Sequence, residues 1–91
     1  MKEKTLRRGG KQTNKEIKHV LVLYNDDVNT FDHVIKTLVE VCGHDPVQAE
    51  QCALIVHLKG SCDVKSGTRE VMLSMSGLLN SKGLNSRVIS L

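Results

Sequence analysis

The chain has 91 residues, one small domain's worth, which excludes a multidomain enzyme. Hydrophobic residues make up 40% and charged residues 25%, an ordinary globular balance, and no apolar run approaches the roughly 18 residues of a membrane span. Charge is lopsided: residues 1–18 hold seven Lys and Arg against Glu3 and Glu16, whereas the rest holds six against eight acidic residues, so the formal net of +3 hides a basic tail on a slightly acidic body.

Residues 1–17 contain Gly9-Gly10 and almost no apolar side chains. They cannot bury enough surface to offset about 1–2 kcal/mol of backbone ordering entropy per residue, so a flexible tail is expected there and an ordered domain over 18–91. No apolar stretch follows the basic segment, so a secretory signal is not expected. Such a tail suits nucleic acid, a membrane surface, an acidic protein, or nothing beyond solvation.

Order is expected from Lys18. His19-Val20-Leu21-Val22-Leu23-Tyr24 is a β-branched and apolar run with the length of a buried strand. Asn25-Asp26-Asp27 stops it, because these side chains hydrogen-bond their own backbone in turns. Phe31, Val34, Ile35, Leu38, Val39 and Cys42 then form one helical stripe, with Asn29 as expected N-cap and Gly43 as stop. Asp45-Pro46-Val47-Gln48 opens a second helix with a cap, a proline at the first helical position and a capping-box partner. That helix is apolar nearly all round through Leu58, which predicts the most buried of the helices, and Lys59-Gly60 ends it. Ser61–Lys65 reads as a short strand and Ser66-Gly67-Thr68 as a turn and cap. Val71, Met72, Met75, Leu78 and Leu79 mark a third helix. Asn80–Asn85 reads as loop, and Arg87–Leu91 as a last strand. The order βααβαβ predicts an α+β sandwich: a three-stranded antiparallel sheet with three helices packed on one face.

Candidate chemistry is sparse. Asn25-Asp26-Asp27 is first of all a turn; it offers too few oxygens for Mg²⁺ or Ca²⁺, but its carboxylates and amide oxygen suit a cation such as an amine. His57, near the end of the second helix, is either a partly buried, satisfied histidine or one more acceptor for an ammonium. Cys42, Cys52 and Cys62 are ten residues apart with no CxxC pair, which argues against a disulfide framework and for a reducing compartment, hence a cytoplasmic location. The same spacing favours core packing over a zinc site with His44. No nucleophile elbow, phosphate loop or metal-protease motif is present, so neither enzymatic activity nor a metal or other cofactor is expected. One Tyr, one Phe and no Trp leave no stacking platform for single-stranded nucleic acid.

These residues resemble the ClpS adaptors, which recognise N-degrons for the Clp proteases. The resemblance spans about residues 18–91. It rests on Val20–Tyr24 running into Asn25-Asp26-Asp27, on Val34 and Leu38, on Ala49, on Val56-His57 with Lys59-Gly60, and on Thr68-Arg69-Glu70-Val71. The Asn-Asp-Asp turn followed thirty residues later by Val-His is the specific part. The family fold is the βααβαβ sandwich read above.

The resemblance implies a binding module. It would hold the free α-amino group and bulky apolar first side chain of a substrate and hand that substrate to a ClpA- or ClpC-type AAA+ unfoldase attached to ClpP. By position, Asn25 and His57 would hydrogen-bond the α-ammonium, with Asp26 and Asp27 assisting. Asn29, Phe31, Val34, Ala53 and Val56 would line the side-chain pocket. Lys59 and Glu70 would belong to the unfoldase-docking face. The tail would be the extension that the unfoldase engages, and the protein would act as a monomer. The sequence departs from the family at four places: Asn29-Thr30 for Thr-Pro, Phe31 for Met, Ala53 for a gatekeeping Met, and Met75 for a docking Lys. The alternatives are a Clp-docking regulator without N-degron binding, which Asn25 and His57 argue against, and a basic-tailed nucleic-acid partner, which the few aromatics disfavour.

Overall fold

A computed structural model describes residues 18–91; the basic segment 1–17, expected to be flexible, lies outside the described residues. The elements follow the order β1 (His19–Tyr24), α1 (Phe31–Cys42), α2 (Pro46–Lys59), β2 (Ser61–Gly67), α3 (Arg69–Ser81) and β3 (Asn85–Ser90). One three-stranded sheet has the order β2-β1-β3, with β1 antiparallel to both neighbours. The uninterrupted apolar run of the sequence is thus the central strand, in which Val20, Leu21, Val22 and Leu23 are all buried.

Leu21 and Leu23 point into a core with Leu38 and Cys42 of α1, Ala49, Cys52 and Val56 of α2, Val64 of β2, Met72 and Leu79 of α3, and Leu84. Each large aliphatic side chain buried here contributes about 1.5–3 kcal/mol before entropy is counted. β2 carries a bulge: Leu21 pairs with Lys65 and Val22 with Asp63, leaving Val64 as the extra residue. The buried His44 donates from Nε2 to the Val64 carbonyl over 2.7 Å, so a carbonyl displaced by the bulge keeps a partner.

Four local expectations are corrected. The N-cap of α1 is Thr30, whose hydroxyl accepts from His33 N–H at 3.1 Å, and not Asn29, whose amide is committed elsewhere. α2 is not buried all round: it buries Ala49, Cys52, Ala53 and Val56, one more than either other helix, but leaves Val47, Leu54, Ile55 and Leu58 exposed, because only one of its faces meets the sheet and α1. β2 runs two residues further, to Gly67, because pairing with β1 continues to His19. α3 extends to Ser81 and β3 begins at Asn85, so the loop between them shrinks to three residues. The caps expected at Asp45 and Thr68 are present, accepting from Gln48 and Val71 N–H.

Candidate functional site

A cleft opens where β1 ends. Tyr24 is the last paired residue of the strand, and the Asn25 N–H donates to the Gly60 carbonyl over 2.9 Å. Gly60 closes α2 in the left-handed region, at φ 94, a conformation open to glycine without steric cost. This bond sets the turn beside the last turn of α2, and so sets Asn25 beside His57 although thirty-two residues separate them.

The turn is organised by Asp26. One carboxylate oxygen accepts from the backbone N–H groups of Val28 and Asn29, both at 2.9 Å, and the other accepts from the Asn29 side-chain amide at 2.8 Å. The Asn29 N–H above all, with the Asn29 amide and the Val28 N–H, holds the Asp26 carboxyl below its ordinary value, against an upward push from partial burial. Asp26 therefore supplies a fixed negative charge behind the mouth while its oxygens are occupied by the loop. Asn25, Asp27 and His57 are exposed at the rim, and their side chains make no hydrogen bond to another described residue. The Phe31 ring stands edge-on to the His57 ring, with centroids 6.2 Å apart and planes at 84°.

Behind this polar rim the cleft, of about 280 Å³, has an apolar wall: Leu23, Val34, Ala53, Val56, Leu84 and one side of Phe31. Ala53 and Val56 are nearly inaccessible, whereas Phe31 remains 40% exposed. All nine residues expected at the amine and side-chain sites line this one cleft. Leu23, Tyr24 and Leu84 line it as well, residues to which the sequence pattern assigns no role in the site. Leu23 could have been inferred as the last inward-facing residue before the turn; Leu84 reaches the cleft only through the α3–β3 turn, which no local pattern announces.

The two residues expected at the docking face are not brought together. Lys59 ends α2 beside the cleft, whereas Glu70 lies in the first turn of α3; both are exposed, and the seven residues of β2, about 20 Å of strand, separate them. The three cysteines are free thiols, Cys42 and Cys52 buried and Cys62 half-buried. Burial raises the Cys42 thiol, and burial together with its Cys52 neighbour pushes Cys62 up to about 12, so these sulfurs behave as packing groups. Among the described residues no three His, Cys, Asp or Glu side chains are placed to hold a metal ion, and no helix is long and apolar enough to cross a membrane.

Residues 14–86 match the family model of ClpS, the ATP-dependent Clp protease adaptor protein. Among solved structures, ClpS2 of Agrobacterium tumefaciens bound to L-phenylalaninamide is similar at a TM-score of 0.75 and 18% identity, over 85% of this chain and 100% of that one. At that identity the likeness concerns the fold. No curated protein sequence matches the chain.

Proposed function

The chain belongs to the ClpS family of Clp protease adaptors, and on that premise we propose that it binds the free α-amino group and bulky apolar first side chain of N-degron substrates. It then delivers them to a ClpA- or ClpC-type unfoldase for degradation by ClpP. The family is one of adaptors and not of proteases, and the chain is assigned no catalytic step of its own. It acts as a monomer in the cytoplasm.

The observation that carries the reading is the division of one cleft into two chemistries. An ammonium needs acceptors: the Asn25 amide oxygen and the His57 ring stand at the rim, and Asp26 and Asp27 add negative field. A large first side chain needs an apolar hole, and Phe31, Val34, Ala53 and Val56 provide its walls, with Asn29 at the edge. L-phenylalaninamide, the molecule bound to the A. tumefaciens ClpS2, joins the same two groups, a free amine and a bulky apolar side chain.

The test is a peptide panel that varies residue one, each peptide in free and N-acetylated form. Acetylation removes charge-assisted hydrogen bonds, each worth roughly 1.5–3 kcal/mol, so a Leu-starting peptide should lose at least about tenfold in affinity. Asn25→Ala and His57→Ala should each weaken the free-amine peptide and leave the acetylated one unchanged. Equal binding of the two forms by the unsubstituted chain would overturn the proposal.

A further inference from the structure

Leu84 forms part of the cleft wall, yet it belongs to a three-residue turn that is not part of the sheet. Hydrogen bonds hold this turn from two sides. Its N–H groups are spent on the end of α3: Lys82 donates to the Leu78 and Leu79 carbonyls, Gly83 to Asn80 and Leu84 to Leu79. The carbonyls of Lys82 and Gly83 face the other way, and one is taken by a side chain of the first turn of α1 and the other by a side chain of the loop before it. His33 Nε2 lies 2.8 Å from the Lys82 carbonyl, and Asn29 Nδ2 donates to the Gly83 carbonyl over 2.8 Å. A carbonyl can only accept, so His33 Nε2 carries the hydrogen. Gly83 adopts φ +91, the left-handed region, with the Asn29 oxygen 3.7 Å from the position a Cβ would occupy. The turn therefore sits close against the loop that carries Asp26.

We infer that His33 is a positioning residue for the first-side-chain pocket: with Asn29 it clamps the α3–β3 turn, and so fixes the Leu84 wall and the width of the hole. The inference rests on the peptide-binding reading above and adds to it a residue outside the cleft lining. Asn29 touches the cleft and also bonds Asp26, so its substitution mixes several effects. His33 does not line the cleft and acts through Lys82, Gly83 and Leu84. Releasing its bond frees one side of the turn, and the wall recedes. Small first side chains then lose contact, while large ones tolerate the wider hole.

The experiment compares the unsubstituted chain, His33→Ala and His33→Gln against free and acetylated peptides that start with Leu or Trp. The Gln amide nitrogen can reach the same carbonyl as a donor. His33→Ala should weaken Leu-peptide binding about two- to tenfold, the worth of one such hydrogen bond, and Trp-peptide binding less, so that the Trp-to-Leu preference shifts. The ratio of free to acetylated binding should stay as it was, because Asn25 and His57 are not held by the clamp. His33→Gln should return the preference to the unsubstituted value, which a loss of general stability would not predict. Without any ligand, the Gly83 and Leu84 amides should exchange hydrogen faster in His33→Ala. If that variant fails to fold, His33→Phe, which fills the space without a donor, carries the same comparison. An unchanged Trp-to-Leu preference, unchanged exchange, or a His33→Gln chain as impaired as the donor-free variant would overturn the clamp. Failure of the unsubstituted chain to prefer free over acetylated peptides would instead overturn the peptide reading and the specificity role that depends on it.

Discussion

Asp26 and Ala53 show how single side chains divide the work of the cleft. The Asp26 carboxyl lies below its ordinary value of 3.8 because Asn29 and Val28 N–H groups favour the ionised form. A lowered carboxyl stabilises the fold above its unfolded value, and that contribution disappears as pH falls through the lower folded value. Urea melts of the unsubstituted chain and Asp26→Asn should therefore differ at neutral pH and converge in strong acid. A gap that stays constant with pH would place the stabilisation in packing and not in the charge. Ala53 bears on selectivity. It is 4% exposed and lines the cleft from α2, at the position where the resemblance implies a gatekeeping Met. Phe31, the residue that could refill this space, turns its ring toward His57 at the mouth. The expected outcome is measurable binding of Ile- and Val-starting peptides beside Leu. In Ala53→Met, Ile binding should fall by about one to two decades while Leu binding is largely kept, since two or three methylenes at about 0.8 kcal/mol each are at stake. Equal rejection of Ile by both proteins, read in the same binding assay, would show that Phe31 closes the gap.

The helices and strands reach this site with different degrees of visibility in the sequence. β1 and the stripe of α1 were legible because an unbroken β-branched run and a helical repeat are properties of neighbouring residues. The start of α1 was not: Asn29 and Thr30 both suit an N-cap, and what decides between them is that Asn29 is committed to Asp26 and to Gly83, fifty-four residues away. Thr30→Ala should accordingly cost about 0.5–2 kcal/mol in urea denaturation, and Thr30→Ser little, because the cap depends on the hydroxyl. β2 was underestimated because Ser-Cys-Asp-Val-Lys-Ser-Gly lacks clean alternation; the bulge at Val64 breaks the period, and the pairing with β1 is made by the partner strand. The site was half legible for the same reason. Asn25-Asp26-Asp27 and His57 bear their chemistry on their faces, and the Asn25–Gly60 bond converts their sequence spacing into adjacency. Leu84 enters the wall through a turn held by tertiary bonds, and nothing local to residues 82–84 signals it.

At the scale of the whole chain, the proposed delivery would divide its labour between the basic segment 1–17 and the domain over 18–91. Among the described residues the core assembles from Leu21 to Leu84, and the cleft from Leu23 to Leu84, so both lie within 18–91. Removing residues 1–17 should then leave thermal stability and N-degron peptide affinity where they were. The excised piece takes with it six of the thirteen basic residues, against Glu3 and Glu16. Its composition, rich in charge and poor in apolar residues, suits engagement by a partner more than packing against its own domain. An unfoldase that grips the extension would lose its handle, while the substrate would still occupy the cleft. The truncated chain should therefore bind a Leu-starting substrate as before and fail to accelerate its degradation by the cognate unfoldase and ClpP. Two measurements, peptide affinity and degradation rate, separate the outcomes. Unimpaired degradation would leave the leader as a solvated segment. A fall in peptide affinity would place part of it at the cleft. Salt-sensitive binding of DNA or RNA that vanishes on truncation would assign the positive charge to nucleic acid, because counterion release makes such binding steeply dependent on ionic strength.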